Sequence, residues 1–126
     1  MTLVNDTANV PAAVGPYSQA ARSGGFLFCS GQIPINPASG KIEAADVEGQ
    51  ARQVLANIES LLTAHGRAMR DVVKATVFLQ SMTDFPKVNP IYEAAFKGHK
   101  PARSTVQVAG LPLGALIEIE VVVEES

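Results

Sequence analysis

The clearest pattern along the chain is a helical repeat of apolar residues between about residues 46 and 65. The apolar positions lie three, four and seven residues apart, which is the spacing of one buried helix face, while charged residues occupy the opposite side. Asp46 is a suitable N-cap, and Gly66 stands where a left-handed C-terminal residue would end the helix. The inward-facing set is Val47, Ala51, Val54, Leu55, Ile58, Leu61 and Leu62.

Shorter stretches rich in apolar and β-branched residues predict strands, separated by glycine and proline turns. Gly31 ends the third of them. The predicted strands cover about residues 2–5, 18–23, 26–30, 72–79, 102–109 and 116–124.

A second helix is predicted to start at Thr83 or Asp84 and to end near Lys97. Pro90 lacks the amide hydrogen of a helical turn and disfavours helical angles at Asn89, so we expect a bend there. The order of strands and helices predicts an α+β sandwich with two helices on one face of a sheet.

The last two predicted strands form a hairpin on this interpretation, joined by residues 110–114. Since side chains alternate along a strand, the expected register places Arg103 and Thr105 on the same sheet face as Glu118 and Glu120. Two interpretations remain open at this point. The group is either a solvated face with an ordinary salt bridge, or a site in which an arginine binds a carboxylate and a glutamate activates water.

Composition narrows the functional classes. The 126 residues suffice for one domain spanning 1–126, with 12 Asp and Glu against 10 Lys and Arg. A slightly acidic chain with no run of Lys or Arg is not typical of a nucleic-acid-binding protein. Neither a secretion signal nor an apolar stretch of membrane length is evident, so we expect a cytoplasmic protein with no membrane partner.

The residues that bind metals in proteins are few and far apart. Cys29 is the single cysteine, and His65 and His99 are the two histidines. They offer no ligand spacing, so no metal and no other cofactor is predicted. Cys29 falls inside an apolar strand and is expected to be a small core residue.

Four segments together resemble the RidA (YjgF/YER057c) family, and they span nearly the whole chain in the family's order. They are Gly15-Pro16-Tyr17-Ser18-Gln19-Ala20, Ser30-Gly31-Gln32-Ile33-Pro34, Val88-Asn89-Pro90-Ile91-Tyr92, and Pro101-Ala102-Arg103-Ser104-Thr105-Val106 followed by Ile117-Glu118-Ile119-Glu120. The resemblance implies a chorismate-mutase-like sandwich, with a six-stranded mixed sheet and two helices on one face. It also implies a homotrimer with three clefts between subunits.

The resemblance also implies residue roles. Arg103 is similar to the arginine that pairs with the substrate carboxylate, and Glu118 to the glutamate that activates water. Tyr17, Ser30 and Asn89 match residues that line the cleft, and Gly31 contributes its backbone. Thr105, also in the cleft, stands where many relatives have cysteine. The segment 97–100 is shorter than in some relatives and lacks an aromatic residue before Pro101, which is expected to affect substrate size.

The activity implied is hydrolysis of 2-aminoacrylate, 2-aminocrotonate and their 2-imino acid tautomers to 2-keto acids and ammonia. The alternatives are a metabolite-binding regulator, a holdase chaperone, a ribonuclease, or a deaminase of another substrate such as 2-aminomuconate. The chain contains both Arg103 and Glu118, and this favours the enzyme because a pure chaperone would not need that pair.

Overall fold

A computed structural model describes residues 1–125, and its main feature is a six-stranded mixed sheet. The sheet consists of β1 (Thr2–Val4), β2 (Ala20–Ser23), β3 (Phe26–Cys29), β6 (Val72–Leu79), β7 (Ala102–Gln107) and β8 (Ile117–Glu124), in the order β1-β2-β3-β8-β6-β7. A separate pair, β4 (Ile35–Asn36) and β5 (Lys41–Ile42), precedes the helices α1 (Val47–Ala64) and α2 (Phe85–Phe96).

Helix α1 begins and ends as its sequence predicts. The Asp46 carboxylate accepts a hydrogen bond from the backbone amide of Gly49 at 2.9 Å, so it caps the first turn. Gly66, just beyond the helix, has a φ of +72°, a conformation that glycine adopts without a steric penalty. Helix α2 runs without interruption through Pro90 and ends at Lys97, which itself adopts left-handed angles.

Both helices cover one face of the sheet, and the core lies between these two layers. The inward side chains of the central strands, among them Leu27, Val77, Leu79, Ile117 and Ile119, are buried to 1% exposure or less. Cys29 is also buried in this core, as its sequence context predicts. Burial raises the pKa of its thiol to about 12.

Within residues 1–125 no helix covers the other face of the sheet, which exposes large apolar side chains. Phe26, Phe28 and Val106 remain 37%, 47% and 41% exposed. Lys74 of β6 donates a hydrogen bond to the Ser104 hydroxyl on the same face. We call it the open face of the sheet. Among residues 1–125, no helix has the length and apolar character needed to cross a bilayer.

The predicted hairpin between the last two strands is wrong. Strand β6 lies between β7 and β8, parallel to β7 and antiparallel to β8. Two physical reasons account for this order. The connection from β6 to β7 passes through α2, a helical crossover of the kind that two parallel neighbouring strands need. β8 has Ile or Val at every second position and is best placed in the centre, whereas the more polar β7 suits an edge.

The pairing also reverses the expected faces. Arg103 lies opposite Ala75 of β6 and Glu118 lies opposite Phe78, and paired residues point to the same side. Ala75 faces the helices and Phe78 the open face. The prediction that Arg103 and Thr105 share a face with Glu118 and Glu120 is therefore wrong, since the first two face the helices.

Candidate functional site

All but one of the residues predicted to form one site lie around two separate clefts. The first, which we call the acidic cleft, has a volume of about 560 Å³. Four of the predicted site residues line it, namely Tyr17, Ser30, Gly31 and Glu118, and Glu120 lies there too. It lies at the open face, where β8 approaches the segment that follows β3.

Gly31 and Glu118 are in close contact inside this cleft. The neighbouring residue Gln32 exchanges two backbone hydrogen bonds with Ile119, at 2.8 and 3.1 Å, and so holds the two segments together. The Glu118 carboxylate occupies the space where a side chain on residue 31 would start, with its Cδ 2.9 Å from the position of a Cβ there. Glycine is therefore required at position 31 for Glu118 to adopt this position.

Glu118 is in an environment that favours its protonated form. Its pKa is raised above the ordinary glutamate value, first by burial and second by the negative charge of Glu120. No residue among 1–125 donates a hydrogen bond to its carboxylate. The group is thus a carboxylate of increased basicity whose oxygens are free to contact a ligand or a water molecule.

The hydroxyl of Ser30 is oriented by the protein. It donates to the backbone carbonyl of Ser18 at 2.6 Å, and the Ser30 amide donates to the Gln19 carbonyl at 2.9 Å. Since its hydrogen is committed, the Ser30 oxygen can act only as an acceptor toward the cleft. Tyr17 is half exposed and forms part of the wall.

The second cleft, which we call the arginine cleft, has a volume of about 350 Å³ and lies between α2 and the start of β7. The guanidinium of Arg103 donates to Asn89 Oδ1 at 2.9 Å, and it lies 4.8 Å from the Tyr92 ring centre and 5.2 Å from that of Phe85. These contacts fix its plane while leaving most of its N–H groups without a protein partner. The lining residues are Asn89, Tyr92, Glu93, His99, Lys100, Pro101 and Arg103.

Arg103 has no carboxylate partner within residues 1–125, where the one ion pair joins Arg22 to Glu125. An oriented guanidinium without a counter-ion is suited to binding an anionic ligand bidentately. Thr105 lines neither cleft. Its hydroxyl is buried without a hydrogen-bond partner on the helix side of β7.

Two residues that support Arg103, Phe85 and Tyr92, are not among the predicted site residues. They lie four residues before and three residues after Asn89, so all three share one stripe of α2. An asparagine within an otherwise apolar helix stripe is the signal that could have identified this surface. For metal binding, the described part of the chain contains no cluster of three or more His, Cys, Asp or Glu side chains.

Comparison with known proteins agrees with both the fold and the motifs. Residues 7–125 match the family described as Endoribonuclease L-PSP. The chain is 50% identical to a RutC family protein of Pyrococcus horikoshii and 48% identical to a 2-iminobutanoate/2-iminopropanoate deaminase of Escherichia coli strain K12, with 92% of each chain covered in both cases.

A crystal structure of the YjgF gene product from Escherichia coli superposes with a TM-score of 0.92 at 43% identity over the full length of both chains. Its similarity extends to the two helices and the six-stranded mixed sheet. The match to the family profile, the close relatives and the shared fold agree with the four sequence segments. The chain therefore belongs to the Endoribonuclease L-PSP family, also known as the YjgF or RidA family.

Proposed function

We propose that this protein hydrolyses 2-imino acids and their enamine tautomers to 2-keto acids and ammonia. The observation that carries the proposal is the pre-oriented guanidinium of Arg103, which has no carboxylate partner in the described chain. A planar fork of N–H donors is matched to a substrate carboxylate. The relative from Escherichia coli, which bears the name of a deaminase acting on such imines, supports the same chemistry.

The reaction needs only positioning and proton transfer. Arg103 binds the substrate carboxylate and holds the carbon of the C=N bond in place. Glu118 accepts a proton from a water molecule as the water oxygen forms a bond to that carbon. Glu118 returns this proton to the nitrogen, which gives an amino alcohol. The hydroxyl proton then passes through Glu118 to the nitrogen as the C=O bond forms and the C–N bond breaks, and ammonia and a keto acid leave. One imine and one water give one keto acid and one ammonia.

A raised pKa suits Glu118 for both halves of this reaction. Burial and the charge of Glu120 make the carboxylate more basic than an exposed glutamate. It therefore accepts a proton from water more readily, and the resulting acid can return that proton to the departing nitrogen. A general base and acid of this kind accelerates a reaction by about 10²- to 10⁴-fold.

One chain cannot perform this reaction alone, because Arg103 and Glu118 lie on opposite faces of its sheet. We propose that the arginine cleft of one subunit meets the acidic cleft of its neighbour in a homotrimer. Each site then takes Asn89 and Arg103 from one subunit and Tyr17, Ser30, Gly31 and Glu118 from the other. The exposed apolar side chains of the open face, Phe26, Phe28 and Val106, are the kind of surface that such an assembly covers.

The proposal is tested by a coupled assay. A threonine dehydratase generates 2-aminocrotonate, and formation of 2-oxobutanoate is followed with and without the protein. We expect acceleration by the wild type and none above background by Arg103→Ala at the same oligomeric state. Full activity of a folded Arg103→Ala would refute the assignment of this arginine.

A non-catalytic role, as a metabolite-binding regulator or a holdase, is the alternative that the open face supports. It predicts binding of a keto acid or of an unfolded client without any acceleration of imine hydrolysis. The same assay separates the two, since only the deaminase changes the rate of keto-acid formation. Glu118→Gln adds a second criterion, because it should lower turnover more than it weakens binding of a keto-acid product.

A further inference from the structure

The arginine cleft contains a second cation that the proposed reaction does not use. Lys100 lines the same cleft as Arg103, and it forms neither a hydrogen bond nor an ion pair with any residue among 1–125. A substrate with a single carboxylate is satisfied by the guanidinium of Arg103. The ammonium of Lys100 is then left without a partner at the wall of the cleft.

The backbone fixes where Lys100 lies. Lys97 ends α2 in a left-handed conformation, and the amide of His99 donates to the Phe96 carbonyl at 3.0 Å. The Nε2–H of His99 donates to the Val72 carbonyl at 2.7 Å, which ties the loop to β6. Pro101 follows directly and restricts the backbone conformations open to Lys100.

His99 and Glu93 also line the cleft beside Arg103 and Lys100. His99 uses its Nε2–H in the bond to the Val72 carbonyl, so this N–H is not available to a ligand in the cleft. Glu93 is the one carboxylate lining the cleft, and it lies more than 4 Å from both cationic side chains. It disfavours an additional negative charge without neutralising either cation by contact.

We infer that the preferred substrates are 2-imino acids with a second carboxylate on the side chain, such as 2-iminosuccinate or 2-iminoglutarate. This inference rests on the proposed deaminase function. Arg103 binds the carboxylate next to the C=N carbon, and Lys100 binds the distal carboxylate. Three residues of extended chain separate the two Cα atoms by about 10 Å, and the flexible lysine stem allows its ammonium to approach a ligand held by Arg103.

The size of the preference follows from the exposure of Lys100. An exposed ion pair is weak, so its loss should reduce kcat/KM for a dicarboxylic imine by about two- to fivefold. Its strength should fall further as ionic strength rises, since an exposed pair is screened by salt.

The test compares two imines made in place by amino-acid oxidases in the presence of catalase. One is 2-iminosuccinate from aspartate, and the other is 2-iminobutanoate from 2-aminobutanoate. The rate of hydrolysis is read from the fraction of imine captured by semicarbazide. Wild type is compared with Lys100→Gln, with Lys87→Gln as a control that removes an exposed lysine of α2 outside the cleft, and with Glu93→Gln.

The inference requires that Lys100→Gln lower kcat/KM for 2-iminosuccinate alone, that Glu93→Gln raise it, and that Lys87→Gln change neither substrate. Acceleration of 2-iminobutanoate together with no effect of Lys100→Gln on 2-iminosuccinate would overturn the inference and leave the deaminase function intact. An equal loss on both substrates would overturn it as well. If wild type accelerates neither imine, both the inference and the proposed function fail.

Discussion

The Glu118 carboxylate occupies the space that a side chain on Gly31 would fill, with its Cδ 2.9 Å from where the Cβ would be. Gly31 lies in the segment that follows β3 and Glu118 lies in β8, and the paired backbones of Gln32 and Ile119 hold them in register. Gly31 does not adopt a left-handed φ, so its requirement for glycine comes from this contact rather than from backbone strain.

Gly31→Ala is therefore expected to displace Glu118 and to reduce kcat for imine hydrolysis by about 10- to 100-fold, within the range that a general base contributes. Affinity for a keto-acid product should change little, because Arg103 remains in place. The matched control is Gly110→Ala, at a position where a Cβ meets nothing within 4 Å. Equal activity of the two variants would show that the contact has no role.

Asn89→Asp is expected to raise KM without an equivalent loss of kcat. In the wild type the guanidinium donates to the neutral amide oxygen of Asn89 at 2.9 Å. The new carboxylate would instead form an ion pair with the guanidinium, and it would compete with the substrate carboxylate for Arg103. Steady-state kinetics on 2-iminobutanoate measures the two parameters separately. A variant with unchanged KM would indicate that Arg103 does not bind the substrate.

Mixing two inactive variants tests whether the site lies between subunits. If Arg103→Ala and Glu118→Gln exchange subunits at random in a cyclic homotrimer, about a quarter of the sites receive both intact residues. We expect the equimolar mixture to recover that fraction of wild-type activity after co-refolding. A mixture as inactive as its components would place Arg103 and Glu118 in separate functions.

The pH dependence should follow Glu118. Hydrolysis needs its ionised form, so kcat/KM is expected to fall on the acid side, at a higher pH than for an exposed glutamate because burial and Glu120 raise its pKa. Glu120→Gln removes one of these causes and should move the acid limb to lower pH. Glu124→Gln, on the same strand and face, is the control and should leave the limb unchanged.

The same pKa predicts a change in stability. A group whose pKa is higher in the folded protein than in the unfolded chain favours folding when protonated, and that contribution is lost as pH rises through the folded value. Ionised Glu118 therefore disfavours the folded state at neutral pH. We expect Glu118→Gln to have a higher Tm than wild type at pH 7, and the difference to vanish in acid, where both side chains are neutral.

The local elements could be predicted from sequence because their signals are local. The stripe from Val47 to Leu62 and the two residues Asp46 and Gly66 define α1 within one residue at each end. Cys29 could be assigned to the core because its strand is apolar. The grouping of Tyr17, Ser30, Gly31 and Glu118 came from the family resemblance, and the acidic cleft agrees with it.

The position of Arg103 could not be predicted, because alternation within a strand defines two faces but not which one meets the helices. Val106 made the face it shares with Ser104 look like the buried one, yet that face is open. Arg103 and Thr105 face the helices at the edge of the sheet. There the guanidinium of Arg103 contacts Asn89 and aromatic rings of α2. The alternation of residues along β7 contains no information about α2, so it cannot show which face of β7 meets the helices.

The central position of β8 also has a consequence for how the molecule forms. It is the last strand to be synthesised among those described, yet it joins β3 to β6. Until it is made, β1–β3 and β6–β7 are two separate ladders that no strand pairing joins. Folding into the complete sheet is therefore a late event during translation, governed by contacts between residues far apart in sequence. Nascent chains lacking residues 117–124 should remain bound to chaperones and be easily digested by proteases.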